Sequence, residues 1–101
     1  MHSIRLRGSW TITSLASATQ HQRKFGRPRT LDANERLWLV CNHIPGSAEV
    51  AVNGEVVATV AAPGPVAADI TSLLQPRNTV VLTVSSADPL GEVLLEVRFA
   101  V

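Results

Sequence analysis

The sequence predicts an all-β protein, a sandwich of two packed sheets. Three observations carry that reading. Short apolar stretches recur along the chain and are separated by Gly and Pro turns. Hydrophobic residues make up 46% of the 101 positions, yet only Trp10, Phe25, Trp38 and Phe99 are aromatic. The core must therefore come mainly from Val, Leu, Ile and Ala, and the β-branched residues among them favour strands. Third, Asn53-Gly54 sits inside Ala48-Glu-Val-Ala-Val-Asn-Gly-Glu-Val-Val-Ala-Thr-Val60, with Val50 and Val52 alternating before it and Val56, Ala58 and Val60 after it. A two-residue turn with positive φ at both positions matches the twist of antiparallel strands, and Asn-Gly tolerates that geometry best.

The elements follow in order. Ile4 and Leu6 alternate with Arg5 and Arg7, which predicts a half-buried strand. Gly8-Ser9 breaks it, and residues 10–15 resume a β-type pattern. Residues 16–34 are small and polar and then basic, which predicts a long connection with a short strand around Phe25 and a turn at Leu31–Asn34. Glu35–Ile44 is apolar on both faces: Leu37, Leu39 and Cys41 on one, Trp38 and Val40 on the other. Such a strand is central and covered on both sides, with Trp38 in the core. After Pro45-Gly46 comes the hairpin, then a rigid loop at Ala61–Pro65 and a short strand at Val66–Ala68. Asp69-Ile-Thr-Ser-Leu-Leu74 predicts one helical turn, with Asp69 capping free N–H groups. Residues 79–84 form a strand with Val80, Leu82 and Val84 inward. The last strand, residues 92–99, places Val93, Leu95, Val97 and Phe99 inward and Glu96 and Arg98 outward.

A chain of this length predicts one domain spanning residues 1–101. Its apolar runs are too short and interrupted to span a bilayer, and its first residues carry no apolar signal segment. With Cys41 as the single cysteine, no internal disulfide can form, and a cytoplasmic location is expected. Net charge is +1, but residues 1–36 carry +5 and residues 37–101 carry −4. The asymmetry fits a basic first third packed beside an acidic remainder, or an anionic partner, and it admits self-association through complementary charge and exposed strand edges.

No catalytic constellation emerges. Glu92 and Glu96 are four residues apart on one strand, about 13 Å by strand rise, too far to act together on a glycosidic bond. His2, His21, His43 and Cys41 lack metal-ligand spacing. Cys41 and His43 share a face of one strand on simple alternation, but Cys41 reads as a small core residue and no oxyanion device is visible. The segment Arg23-Lys-Phe-Gly-Arg-Pro-Arg29 is basic with one aromatic, which is weak support for nucleic acid as a partner. No cofactor is implied.

Several pieces in fixed order resemble a known family. Leu37-Trp-Leu-Val40, Ile44, Ala48-Glu-Val-Ala-Val-Asn-Gly-Glu55, Pro65, Asp69-Ile-Thr-Ser-Leu-Leu74, Asn78 and Val80-Val-Leu-Thr-Val84 are similar to the amino-terminal sugar-binding domain of the β-galactosidase and β-glucuronidase glycoside hydrolases. The resemblance covers roughly residues 35–85. It implies a galactose-binding-like jelly roll standing alone. Where the family usually has an aromatic after the loop proline, this chain has Val66. In that family a separate barrel supplies the catalytic carboxylates, so the resemblance implies the fold and not hydrolysis.

The expected function is that of a non-catalytic binding module with carbohydrate as its first ligand class. The alternative is a structural or protein-interaction domain with the same fold and no sugar site. A sugar site needs an exposed ring beside polar groups on loops at one end of the sandwich. The candidates are Trp10, Arg23, Phe25, Arg27, Arg29, His43 and Asp88, with Trp10 as the ring and Phe25 as its reserve.

Overall fold

Two antiparallel sheets face each other across an aliphatic core in the computed structural model, which describes residues 2–28 and 30–99. Among those residues nine strands form: β1 (His2–Arg5), β2 (Thr11–Ser14), β3 (Thr19–Gly26), β4 (Glu35–Ile44), β5 (Ala48–Val52), β6 (Glu55–Val60), β7 (Gly64–Asp69), β8 (Arg77–Val84) and β9 (Val93–Phe99). One sheet has the order β1-β9-β4-β7 and the other β2-β3-β8-β5-β6, giving a jelly-roll sandwich. A single 3-10 turn, Thr71–Leu73, is the only helical element described.

Alternation builds the core. Leu37, Leu39 and Cys41 from β4 and Val93, Leu95 and Val97 from β9 meet Val50, Val52, Val80, Leu82 and Val84 from the opposite sheet, all buried. Phe25 is the only aromatic among the buried hydrophobic residues. The hairpin forms as expected. Val52 pairs with Glu55, and Asn53 and Gly54 both have positive φ, 52° and 85°. Asp69 accepts a hydrogen bond from the Thr71 backbone N–H at 3.0 Å, so it captures a free donor of the 3-10 turn.

Several expectations are corrected. Residues 19–26 are not a connection but an eight-residue strand, paired along its whole length with β8. Its inward positions begin with Thr19 and His21, both buried, so polar side chains occupy places where an apolar pattern would have marked a strand. Trp38 is not in the core. It lies half-buried on the outer face of its sheet, under the Arg98 guanidinium at 4.5 Å from the ring centroid. The outer side of β4 is thus shielded by its neighbours' side chains and not by another layer. Phe99 is 65% exposed where the sandwich ends. Val56 is exposed too, because a bulge between Val50 and Ala51 shifts the register of β6. A second irregularity between Cys41 and Ile44 breaks alternation in β4, so Ile44 is buried, His43 is exposed and Cys41 no longer shares a face with it.

Candidate binding cleft

The two sheets close on each other at β6 and β7 but gape at β1 and β2. A cleft of about 450 Å³ opens there, between β1 with its following turn and the loop leading into β9 on one side and β2 and β3 on the other. Ile12 shows why it exists. By register it lies opposite His21 and so on the inner face, yet it is 62% exposed because no side chain of the facing sheet reaches it. Gly8 and Ser9 turn the chain over the cleft, both with positive φ, 61° and 55°.

Trp10 and Ile12 form much of one apolar wall, with Leu90 and Val93 on the other. The Trp10 ring is half-buried against the core and fixed, because its Nε1–H donates to the Leu6 carbonyl at 2.9 Å. His21 also lines the cleft. It is buried, burial pushes its pKa below the usual histidine value, and its Nε2 has no hydrogen-bond partner. Arg5 and Arg7 stand beside it and share one oxygen, Oε1 of Glu92, at 3.3 and 3.5 Å. These pairs are largely exposed, so they contribute little to stability.

The expected site residues scatter around this cleft. Trp10 lines it. Arg23 lies just outside, and its guanidinium donates to the carbonyls of Gly8, Lys24 and Arg7 at 3.0–3.1 Å, which holds the Gly8-Ser9 turn against β3. Phe25 is a core residue, 7% exposed, and offers no ring to a ligand. Arg27 donates to the Leu74 carbonyl at 2.8 Å on another part of the surface. Arg29 falls outside the described residues. The His43 side chain is exposed and does not line the cleft, although its carbonyl accepts from Gly91 N–H, whose loop does. Asp88 is exposed and does not line the cleft, although its neighbour Pro89 does. The residues that sequence reasoning missed are Arg5, Arg7, His21 and Glu92. The alternation of Arg5 and Arg7 with Ile4 and Leu6 signals only a solvated face, and nothing local reveals that Glu92 folds back on it.

The cleft brings an apolar wall and charged groups together. Glu92 is engaged by Arg5 and Arg7, whereas Glu96 accepts from Arg98 at 2.9 Å, so the two carboxylates have separate surroundings. Burial pushes the Cys41 thiol up, and its Sγ–H donates to the His43 carbonyl at 3.4 Å, away from any reactive partner. Among the described residues no three His, Cys, Asp or Glu side chains gather to hold a metal ion, and no helix is long and apolar enough to cross a membrane.

No family model and no curated protein matches the sequence. Solved structures do. A β-D-glucuronidase from Dictyoglomus thermophilum superposes with TM-score 0.80 at 12% identity, over 96% of this chain and 28% of that enzyme. A Bifidobacterium dentium β-glucuronidase, solved with coumarin-3-O-glucuronide, gives TM-score 0.60 at 27% identity over 67% of this chain and 11% of its own. A putative β-galactosidase from Bacteroides fragilis gives 0.66 at 21% over 82% of this chain and 15% of its own. The chain therefore spans less than a third of the enzymes it matches, and the likeness is to one domain-sized part of them.

Proposed function

We propose, from a chain that carries the jelly-roll fold of one part of the β-glucuronidases and β-galactosidases, that it is a non-catalytic binding module whose ligand is carbohydrate. The observation that carries this reading is the cleft at β1 and β2, with the fixed, half-buried Trp10 ring as a wall and Arg5, Arg7 and Glu92 as polar groups around it. Apolar faces of sugar rings stack on indole, and flanking charged groups hydrogen-bond the hydroxyls. The enzymes' activity belongs to their full lengths, of which this chain matches a small share, and fold alone does not fix function.

A second reading has its own support. Ile12 within β2 and Leu15 just after it are 62% and 47% exposed, and β2 is an edge strand whose outer side is unpaired among the described residues. A protein-interaction domain would use such an edge to add a partner's strand, from a second copy or another protein. Tryptophan fluorescence, titrated with a panel of oligosaccharides, separates the two. The module reading expects a saturable change that is lost in Trp10→Ala and in Ile12→Gln, the latter sparing the core. Silence across the panel, with a dimer mass in solution, would make the interaction domain the better reading.

A further inference from the structure

Three depressions adjoin around the open edge of the sandwich, the third reaching the outer face of β2 and β3, where Thr11 pairs with Gln22. The cleft beside Trp10 shares Arg5 and Leu6 with a second hollow, and that hollow shares Arg23 and Lys24 with a third near Ser9 and Gln22. Their charged lining is one-sided: the cations Arg5, Arg7, Arg23 and Lys24 against the single carboxylate of Glu92. Two of the cations share one oxygen of that carboxylate, so neither is fully neutralised. Arg23 spends its N–H groups on neutral carbonyls, which leaves its charge uncompensated. Lys24 is exposed and has no ion-pair partner among the described residues. Four of the seven Lys and Arg residues among residues 1–36 therefore lie on β1, β3 and the turn that follows β1, where the sheets part.

Resting on the module reading, we infer that the ligand is an acidic oligosaccharide, one carrying carboxylate or sulfate groups, laid along these hollows with one ring against Trp10. Charge complementarity names the class, because hydroxyl groups alone do not call for four cations around one acid. The extent names an oligomer and not a single sugar, since cations line the Trp10 cleft and both hollows beside it. A single-stranded nucleic acid would meet the same charge but would want several stacking rings, and Phe25, the other aromatic of this region, is buried in the core.

The test is a fluorescence titration at low salt with tetragalacturonate, a heparin-derived tetrasaccharide, maltotetraose and oligothymidylate. Tetragalacturonate, the heparin tetrasaccharide or both should bind at least about tenfold tighter than maltotetraose and weaken as salt rises; comparing the two identifies the anionic group. Lys24→Glu, at an exposed site, should weaken acidic ligands about five- to tenfold at unchanged melting temperature. Trp10→Ala should abolish the signal, and as a control calorimetry should show lost affinity where pure charge attraction would persist. Equal binding of maltotetraose would overturn the acidic class and leave the module standing. Tightest binding of oligothymidylate would overturn it in favour of a nucleic-acid surface. Silence with all four ligands would sink both readings.

Discussion

The side-chain amide of Asn53 donates from Nδ2 to Oδ1 of Asn78 at 2.9 Å, and this bond ties the tightest turn of the sandwich to its core. Asn53 is thus more than a residue that tolerates positive φ. Its Nδ2 also donates to the Leu73 carbonyl and its Oδ1 accepts from Thr79 N–H, both at 2.9 Å. Asn78, 1% exposed, accepts from Gln75 N–H and donates to the carbonyls of Gln75 and Phe25. Two amides, one of them at the hairpin turn, therefore satisfy backbone groups of the 3-10 turn, of Gln75, of β3 and of β8.

Asn78→Ala should accordingly be among the most damaging single changes. It strands several buried donors and acceptors at once, and each unsatisfied group costs about 1–3 kcal/mol. We expect a loss of at least about 2 kcal/mol and a melting temperature lower by more than about 8 °C. Thermal denaturation followed by circular dichroism measures it. A shift of a degree or two would mean that water replaces the network.

Gly54→Val tests the turn itself. No heavy atom would meet an added Cβ, so space is not the obstacle. A φ of 85° is. A β-branched residue there should lose about 1–3 kcal/mol, whereas Gly54→Asn, which tolerates positive φ, should lose much less. Equal stability of the two variants would show that the turn relaxes to another type.

Strand β3 yields a paired prediction. Phe25→Ala should cost about 3–5 kcal/mol, since it empties a core position, while its neighbour Lys24→Ala should change stability by no more than about 0.5 kcal/mol. Urea midpoints of the two variants check the contrast. Near-equal midpoints would contradict a strand with Phe25 inward.

The hairpin, β4, β8 and β9 are legible in the sequence because they obey simple rules: a period-two apolar pattern and an Asn-Gly turn. Strand β3 is not, because Thr19 and His21 occupy its inward places and hydrophobic periodicity cannot register buried polar residues. Trp38 departs from the core reading for a related reason. An apolar residue in a two-sided strand reads as core, but one side of Trp38 is covered by Arg98, which only the β4–β9 register reveals. The irregularity at Cys41 moves His43 to the surface without any local Gly to announce it. The cleft was half visible. Trp10 stood out as a ring beside a break, whereas Arg5, Arg7, His21 and Glu92 converge from distant segments, and such convergence is a property of topology.

His21 makes the stability of this fold depend on pH in a stated direction. Burial lowers its folded-state pKa below the ordinary value of 6.5, so the folded chain resists taking up the proton. As pH falls through about 6.5 the unfolded chain binds that proton first, and stability must decline from there down to the folded pKa. Above about 6.5 the contribution is fully present. Asp69 does not confuse the measurement. Burial alone would raise its pKa, but the hydrogen bonds from Arg36 and Thr71 outweigh it and hold the carboxyl below its usual range, so it stays ionised through this window. Urea unfolding between pH 5 and 8 should show a stability that falls on the acid side in the natural chain and a flatter profile in His21→Leu. That variant should also keep its stability at pH 8 to within about 1 kcal/mol, because Nε2 has no hydrogen bond to lose and an apolar side chain suits the site. A flat profile in the natural chain, or an unchanged slope in His21→Leu, would assign the titration to another group.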